Sequence, residues 1–472
     1  MFTLRPLVLS ILLTVPVVAF AQQPVLPSRQ PVTQPQSKPQ TEKPETVANA
    51  PALTLAEAIR MGLENNYNIR VSRQDERLAA NNVTRGNAGQ LPTINGNLTR
   101  NFNRNNVRQQ LGDQDARIAN GAQSNQLNAN VAGTWTIFDG LGMFIAYDRL
   151  QALEASQRQL TRATLEETVA AITDAYYVVV RESGKINSIE EALKIGQARI
   201  DLTQARVDVG VSAKVEVLTA RVDYNADRSI LIQQQEFLKT AKISLNNLLG
   251  RNPNLDFQPK DSIVVAPNLK REDVLQAIQT NNPRLQQART NIEVARYDRK
   301  LVRASRFPQI GLTTGYGLNR NINEAAFFGT QLATNTSRNY GLNYGLVASV
   351  PIFDGFNRTR LEQNARILEE QSQLLLGQTQ LELDAEAEQA YAQYLNRLQL
   401  LELEETNILL ARENIAITLE RYRLGLLTPL DLRIAQRTQL DAEVRLLDIR
   451  YQAKQAEIVL RRLSSGLVQE GE

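Results

Sequence analysis

Residues 126–140 read QLNANVAGTWTIFDG and residues 340–355 read YGLNYGLVASVPIFDG. In the first stretch Leu127, Ala129, Val131, Gly133, Trp135 and Ile137 alternate with Gln126, Asn128, Asn130, Thr134 and Thr136. In the second, Tyr340, Leu342, Tyr344, Leu346, Ala348 and Val350 share one parity. A period of two puts alternate side chains on opposite faces of a strand, so each stretch predicts a strand with one apolar and one polar face. Upstream of the first, polar Thr93, Asn95, Asn97, Thr99, Asn101 and Asn103 alternate with Ile94, Gly96, Leu98 and Phe102. Upstream of the second, Ile310, Leu312, Tyr316 and Leu318 repeat the pattern more weakly. Strands are predicted over about 91–103, 126–138, 309–320 and 339–351, joined as two hairpins by polar loops near 104–124 and 321–337. Each strand has roughly 10–13 residues, the length that a tilted membrane-spanning strand needs.

The two hairpins belong to a longer repeat. Asn65-Asn66 matches Asn281-Asn282, Asn103-Arg104-Asn105 matches Asn319-Arg320-Asn321, Ile137-Phe138-Asp139-Gly140 matches Ile352-Phe353-Asp354-Gly355, and Gly210 matches Gly425. The chain is one unit written twice, over 53–250 and 270–466, with a linker at 251–269 and a short tail at 467–472.

Outside the hairpins the period is helical. Leu165, Ile172, Val179, Ile186, Leu193, Ile200 and Val207 recur every seven residues, and Ala387, Tyr394, Leu401, Ile408, Ile415 and Tyr422 do so in the second unit. Between Gly140 and Val211, and between Gly355 and Thr428, no proline interrupts the run. Each run predicts a helix of about 70 residues, roughly 100 Å long, with a coiled-coil seam. Second helices follow at about 213–249 and 429–465. Shorter helices precede the hairpins, the first opened by a Thr54/Glu57 capping box and the one after Asn282 by Pro283 at its first position.

Composition narrows the function. The 472 residues include no Cys and no His and carry a formal net charge of +3. Disulfide frameworks, thiolate nucleophiles and zinc ribbons are excluded, and the commonest general base and metal ligand is missing. No cofactor or metal site is expected, no enzyme chemistry is indicated, and the interspersed charges give no nucleic-acid footprint. Residues 1–21, MFTLRPLVLSILLTVPVVAFA, combine Arg5, an apolar run and Ala19-Phe20-Ala21. They predict a cleavable export signal. The Pro- and Gln-rich residues 22–52 cannot form a core and predict a flexible arm.

After cleavage no apolar run is long enough for a membrane helix. The amphipathic strands suit a membrane with lipid on one face and a lumen on the other. Four strands leave open edges that hydrocarbon does not tolerate, so the chain must oligomerise. Lumen-facing residues are then Asn95, Asn97, Asn128, Asn130 and Asn343, and lipid-facing residues are Leu98, Val131, Trp135, Leu342 and Leu346. Trp135, near a strand end, reads as an interfacial belt residue.

The order of these elements, the twofold repeat, the two IFDG stretches, and ArgValAspValGly (206–210) with ArgTyrArgLeuGly (421–425) at the turns resemble the TolC family of outer-membrane efflux proteins. The likeness covers about residues 53–466. It implies a mainly α fold with a transmembrane β part: a homotrimer whose 12-stranded β-barrel continues into a 12-helix α-barrel across the periplasm. It implies a bacterial outer-membrane location. Its implied partners are outer-membrane lipid, a periplasmic adaptor protein and an inner-membrane transporter of the RND, ABC or MFS type. The turns Gly210-Val211 and Gly425-Leu426 fall where the family docks its adaptor.

Glu216 and Asp431 match across the repeat, six residues beyond each turn glycine. Two readings stand. Both lie in the first turn of a helix, where an acid compensates the dipole and caps the backbone. The family also rings its closed entrance with acids here, held by Tyr and Arg partners. Tyr422 matches that Tyr, but Leu427 stands at the Arg position and Ile434 at a second Asp, so a gate here is expected to be held more weakly or differently. Asp139 and Asp354 are expected as helix N-caps, with pore lining as the alternative. Efflux of small molecules is the expected role, with type I protein secretion as the alternative. A periplasmic adaptor or structural coiled coil, which outer-membrane fractionation distinguishes, is the rival of another class. Met61 and Met143 alone among soft ligands disfavour a soft-metal relay.

Overall fold

The computed structural model describes residues 51–468 apart from 111, 114, 329 and 330. The predicted export signal, nearly all of the arm and the end of the tail lie outside the described residues. A short strand β1 (Ala52–Leu53) is followed by α1 (Leu55–Asn65), α2 (Tyr67–Asn82), β2 (Thr93–Gln109), β3 (Arg117–Phe138), α3 (Gly142–Asp208) and α4 (Lys214–Leu248). The second unit repeats the order with β4 (Gln258–Pro259), α5 (Arg271–Asn281), α6 (Pro283–Ala304), β5 (Gln309–Phe328), β6 (Gln331–Ser349), α7 (Asn357–Arg423) and α8 (Pro429–Leu463). The helices α3 and α7 have 67 residues each, which at ~1.5 Å per residue is about 100 Å.

Local chemistry sets the joints. Thr54 and Glu57 form the predicted capping box. The Asn pairs resolve into one device used twice. Asn66 caps α2 by accepting from Asn68 and Ile69, while its amide donates to the Leu248 carbonyl at 2.8 Å. Asn282 does the same for α6, donating to the Leu463 carbonyl at 2.9 Å. Each staples the start of one helix to the end of another. The segment 251–269 is packed rather than loose: Phe257 and Ile263 join the core around Ile172, Tyr176 and Val179. Lys260 N–H donates to the Leu53 carbonyl, pairing β4 with β1. Along α3 the predicted seam is buried at Ile172, Val179, Leu193 and Ile200.

The four long strands form one antiparallel sheet in the order β2-β3-β5-β6. They are longer than the sequence predicts, at 17, 22, 20 and 19 residues. Pairing continues from Asn97↔Asn130 to Gln109↔Arg117, through residues expected to form a loop. The ladder is made by backbone groups, which pair whether or not the side chains alternate in polarity. The reading from hydropathy therefore stopped where the apolar face stopped.

The expected Asp caps are corrected. The N-cap positions of α3 and α7 are Leu141 and Phe356, both left-handed and without a side-chain cap bond. Gly140 and Gly355 also have positive φ, so two successive left-handed residues separate each Asp from its helix. Asp354 still accepts from the Arg358 N–H at 3.0 Å, whereas Asp139 Oδ1 is buried without a partner.

Three tiers share one lateral order. Around the sheet it is β2-β3-β5-β6. Beside it, α2 packs on α3, α3 on α6 and α6 on α7; at the far end, α4 packs on α3, α3 on α8 and α8 on α7. One side of the chain therefore ends in β2, α2 and α4, the other in β6 and α7.

Candidate channel wall and entrance

Strand register sorts the sheet into rows. Thr99, Asn128, Asn319 and Asn339 are directly paired across all four strands, and Asn319 donates to Asn128 at 2.6 Å. The next row is Leu98, Ala129, Leu318 and Tyr340. Because paired residues share a face and neighbours along a strand do not, one face is polar and the other apolar. Asn95 and Asn343 align through Ala132 and Gly315 on the polar side; Val131, Tyr316 and Leu342 align on the apolar side. Asn97 pairs with Asn130. Leu98 and Leu346 are exposed, and Trp135 aligns with Leu312 and Leu346. Its indole N–H donates to the Gln90 carbonyl at 3.0 Å, so the polar end of the ring is held at the strand end.

At the opposite end both long helices stop in the same way. Gly210 (φ +77) and Gly425 (φ +79) adopt the left-handed conformation. The Val211 N–H bonds the Arg206 carbonyl and Gly210 N–H the Val207 carbonyl; Leu426 and Gly425 repeat this with Arg421 and Tyr422. This is a Schellman motif, and the lack of a Cβ makes the backbone conformation inexpensive. The tip is apolar, with Val211 78% and Leu426 70% exposed, beside exposed Val209, Leu424, Leu430 and Ile434.

The acids at the tip are occupied locally. Asp431 forms a capping box with Thr428, accepting from its hydroxyl at 2.6 Å and its N–H at 3.0 Å. The hydroxyl first and the amide second hold the Asp431 carboxyl below the usual range. Glu216 accepts from the Ser212 hydroxyl. Among the described residues, no hydrogen bond joins either acid to Tyr422.

Tyr422 is instead held by the first unit. It is fully buried, its hydroxyl lies 2.7 Å from Thr203 Oγ1, and Arg206 stacks 4.6 Å from its ring centroid. Arg206 also donates to the Tyr422 carbonyl, placing a cation on the end of α7. Just above, buried Arg199 pairs with Asp223 at 2.5 Å, and Arg433 clamps Asp227 through two bonds of 2.6 and 2.8 Å. Sequence reasoning missed Thr203, Arg206, Arg199 and Arg433. Arg206 sat within the quoted turn stretch, but its partner lies 216 residues away, and no local pattern marks such a contact.

A family model described as "Outer membrane efflux protein" matches residues 58–251 and 274–466, most of the chain and both units. The chain belongs to the outer membrane efflux protein family. It is 27% identical over 252 residues to outer membrane protein TolC of Escherichia coli, covering 51% of this chain and 49% of TolC. It is 21% identical over 428 residues to the proteases secretion protein PrtF of Dickeya chrysanthemi, covering 88% of each. The match thus spans about half the length of TolC and most of PrtF. The fold is similar to that of the outer membrane channel CmeC of Campylobacter jejuni, with a TM-score of 0.69 at 14% identity over 87% of this chain and 85% of CmeC. These relatives and neighbours of the efflux family are channels and secretion proteins rather than enzymes. No described helix is long and apolar enough to cross a membrane, which says nothing of a β-barrel.

Proposed function

We propose that three copies of this chain close into an outer-membrane duct that receives substrates from a periplasmic adaptor and an inner-membrane transporter and releases them outside. The observation that carries this reading is the shared lateral order of the three tiers. Sheet and helices leave their open edges on the same two sides of the chain, so one head-to-tail contact would close barrel and tunnel together. Closure also removes the sheet edges that a hydrocarbon layer forbids. The Asn rows then line the lumen and the Leu98 and Val131 rows meet lipid. The exposed apolar turns at Val211 and Leu426 are the adaptor-docking surface. Glu216 and Asp431 crowd the entrance, and the Arg206–Tyr422 contact holds it narrow.

Small-molecule efflux is the favoured role. A type I secretion duct is the second reading, favoured by the similarity to PrtF along 88% of both chains. Native mass spectrometry and crosslinking of the protein extracted from outer membranes test the duct: a trimer is expected, and recovery of only monomer in the soluble periplasm would overturn it. Genetic pairing with candidate transporters, scored by drug sensitivity against protease release, separates the two roles.

A further inference from the structure

The edge helices α4 and α7 each bury one face within the chain and leave another apolar face without a partner. On α7 and its C-cap, Leu403, Leu410, Ile417 and the capping Leu424 recur every seven residues and are all exposed, although Ile408, Ile415 and Tyr422 on the other face are buried. On α4, Val215, Leu218, Val222 and Ile232 are exposed, whereas Val217, Ala220 and Leu245 are buried. The charges flanking these stripes differ in balance. Beside the α4 stripe exposed Arg221, Arg228 and Lys239 outnumber the exposed acid Glu236; beside the α7 stripe stand exposed Glu402 and Glu413, with Arg421 near its end. Among the described residues Arg221, Arg228, Lys239, Glu402 and Glu413 make no ion pair, although neighbouring Asp223, Asp227, Glu404 and Glu405 all do.

We infer that these two faces are mates. The α4 face of one copy seats on the α7 face of the next, with Arg228 against Glu413 and Lys239 against Glu402 fixing the vertical register. Levels along the helices support this pairing. Asp223 of α4 is level with Arg199 of α3, and Tyr422 of α7 lies against Thr203 and Arg206 of α3. Counting from these contacts, copies related by an axis along the helices bring Arg228 within about one turn of Glu413, and Lys239 within about one turn of Glu402. The same count sets Val222 beside Ile417 and Ile232 beside Leu409. The helices run antiparallel in this pairing, and the helical period then places both charged flanks on the same side of the seam. A copy displaced by one heptad would keep apolar contacts but only one of the two ion pairs, Arg221 then meeting Glu413 or Arg228 meeting Glu402, so the charges favour the register that makes both.

This inference rests on the proposed trimer, and charge reversal separates the two. Full-length chains are made with Arg228→Glu and Lys239→Glu, with Glu402→Lys and Glu413→Lys, or with all four, and trimers are counted by native mass spectrometry of detergent extracts. Either double reversal is expected to lower the trimer fraction several-fold, and the fourfold variant to restore most of it. In the otherwise cysteine-free chain, Val222→Cys with Ile417→Cys is expected to give disulfide-linked copies, and Val222→Cys alone none. Unchanged trimer yield in both double reversals would refute the register, as would failure of the fourfold variant to recover. If the reversed chains do not reach the membrane, the cysteine pair decides: crosslinking supports the seam and its absence in a trimer overturns it. A wild-type monomer would sink the duct itself.

Discussion

The guanidinium of Arg206 lies 4.6 Å from the ring centroid of Tyr422 and donates to its carbonyl, joining the end of the first long helix to the end of the second. Thr203 adds the 2.7 Å contact with the Tyr422 hydroxyl. The tip of the chain is therefore clasped between its two units by a cation, a ring and a helix end. None of these uses Glu216 or Asp431. The cation on the end of the second long helix is thus supplied by the first unit.

Removing that cation should loosen the entrance without dismantling the duct. Arg206→Ala is expected to raise single-channel conductance several-fold with unchanged trimer yield, because the contact sits at one end of helices about 100 Å long. Tyr422→Phe keeps the ring and removes the hydroxyl contact with Thr203, whose own hydroxyl still donates to the Arg199 carbonyl at 2.7 Å, at a cost of about 1 kcal/mol. It should produce a smaller increase. Conductance equal to wild type in Arg206→Ala would remove the clasp from the gating scheme.

The strand register gives a labelling pattern. Cys placed at Asn95, Asn128 or Asn343 should react with water-borne thiol reagents, while Cys at Leu98, Val131 or Leu346 should be shielded by lipid. The paired rows fix these faces relative to one another, and a shift of one residue would exchange all of them. Labelling of Leu98→Cys with protection of Asn128→Cys would invert the assignment of lumen and lipid.

Much of this architecture is legible in the sequence because it is periodic. The alternation at 126–137 and the heptads from Ile172 to Ile200 each report a face that is buried or solvated, so hydropathy finds them. Strand ends were not legible, since pairing from Asn105 to Gln109 depends on backbone groups that composition does not encode. The turn glycines were found because only a left-handed position calls for Gly after so long a helix. Arg206, Arg199 and Arg433 were not, because each is defined by a partner on a distant helix. The Asn pairs stood out as repeats, but their double role as cap and staple required the helix ends to be brought together.

A second site responds to pH. Glu166 on α3 is buried, and neither carboxylate oxygen completes a hydrogen bond; the Leu467 and Val468 amides approach it without closing one. Burial pushes its pKa from 4.5 up to about 7, with the Arg162 charge offsetting part of the rise. The folded state thus holds a proton that the unfolded chain releases above pH ~4.5. This group's contribution is full below that value and is lost as pH rises to about 7. Glu166→Gln should flatten the dependence of Tm on pH in that window and raise Tm by a few degrees above pH ~7. A steeper dependence in the variant would show that the proton is not held there.

The acids at the tip make the last prediction. Each is satisfied within its own helix start, Asp431 by Thr428 and Glu216 by Ser212, yet an ion-pair partner is lacking for both among the described residues. In a trimer about six carboxylates would then surround the entrance, and such a ring attracts cations and binds multivalent ones. Planar-bilayer recording should show cation preference and block by added trivalent cations from the periplasmic side. Glu216→Gln with Asp431→Asn should weaken that block at least tenfold. The loss of the Thr428 capping box should cost only about 1 kcal/mol in stability, leaving trimers abundant. If the double variant instead loses its trimers and the surviving channels block as before, both acids serve the helix starts alone, and the entrance is held by the Arg206–Tyr422 clasp without them.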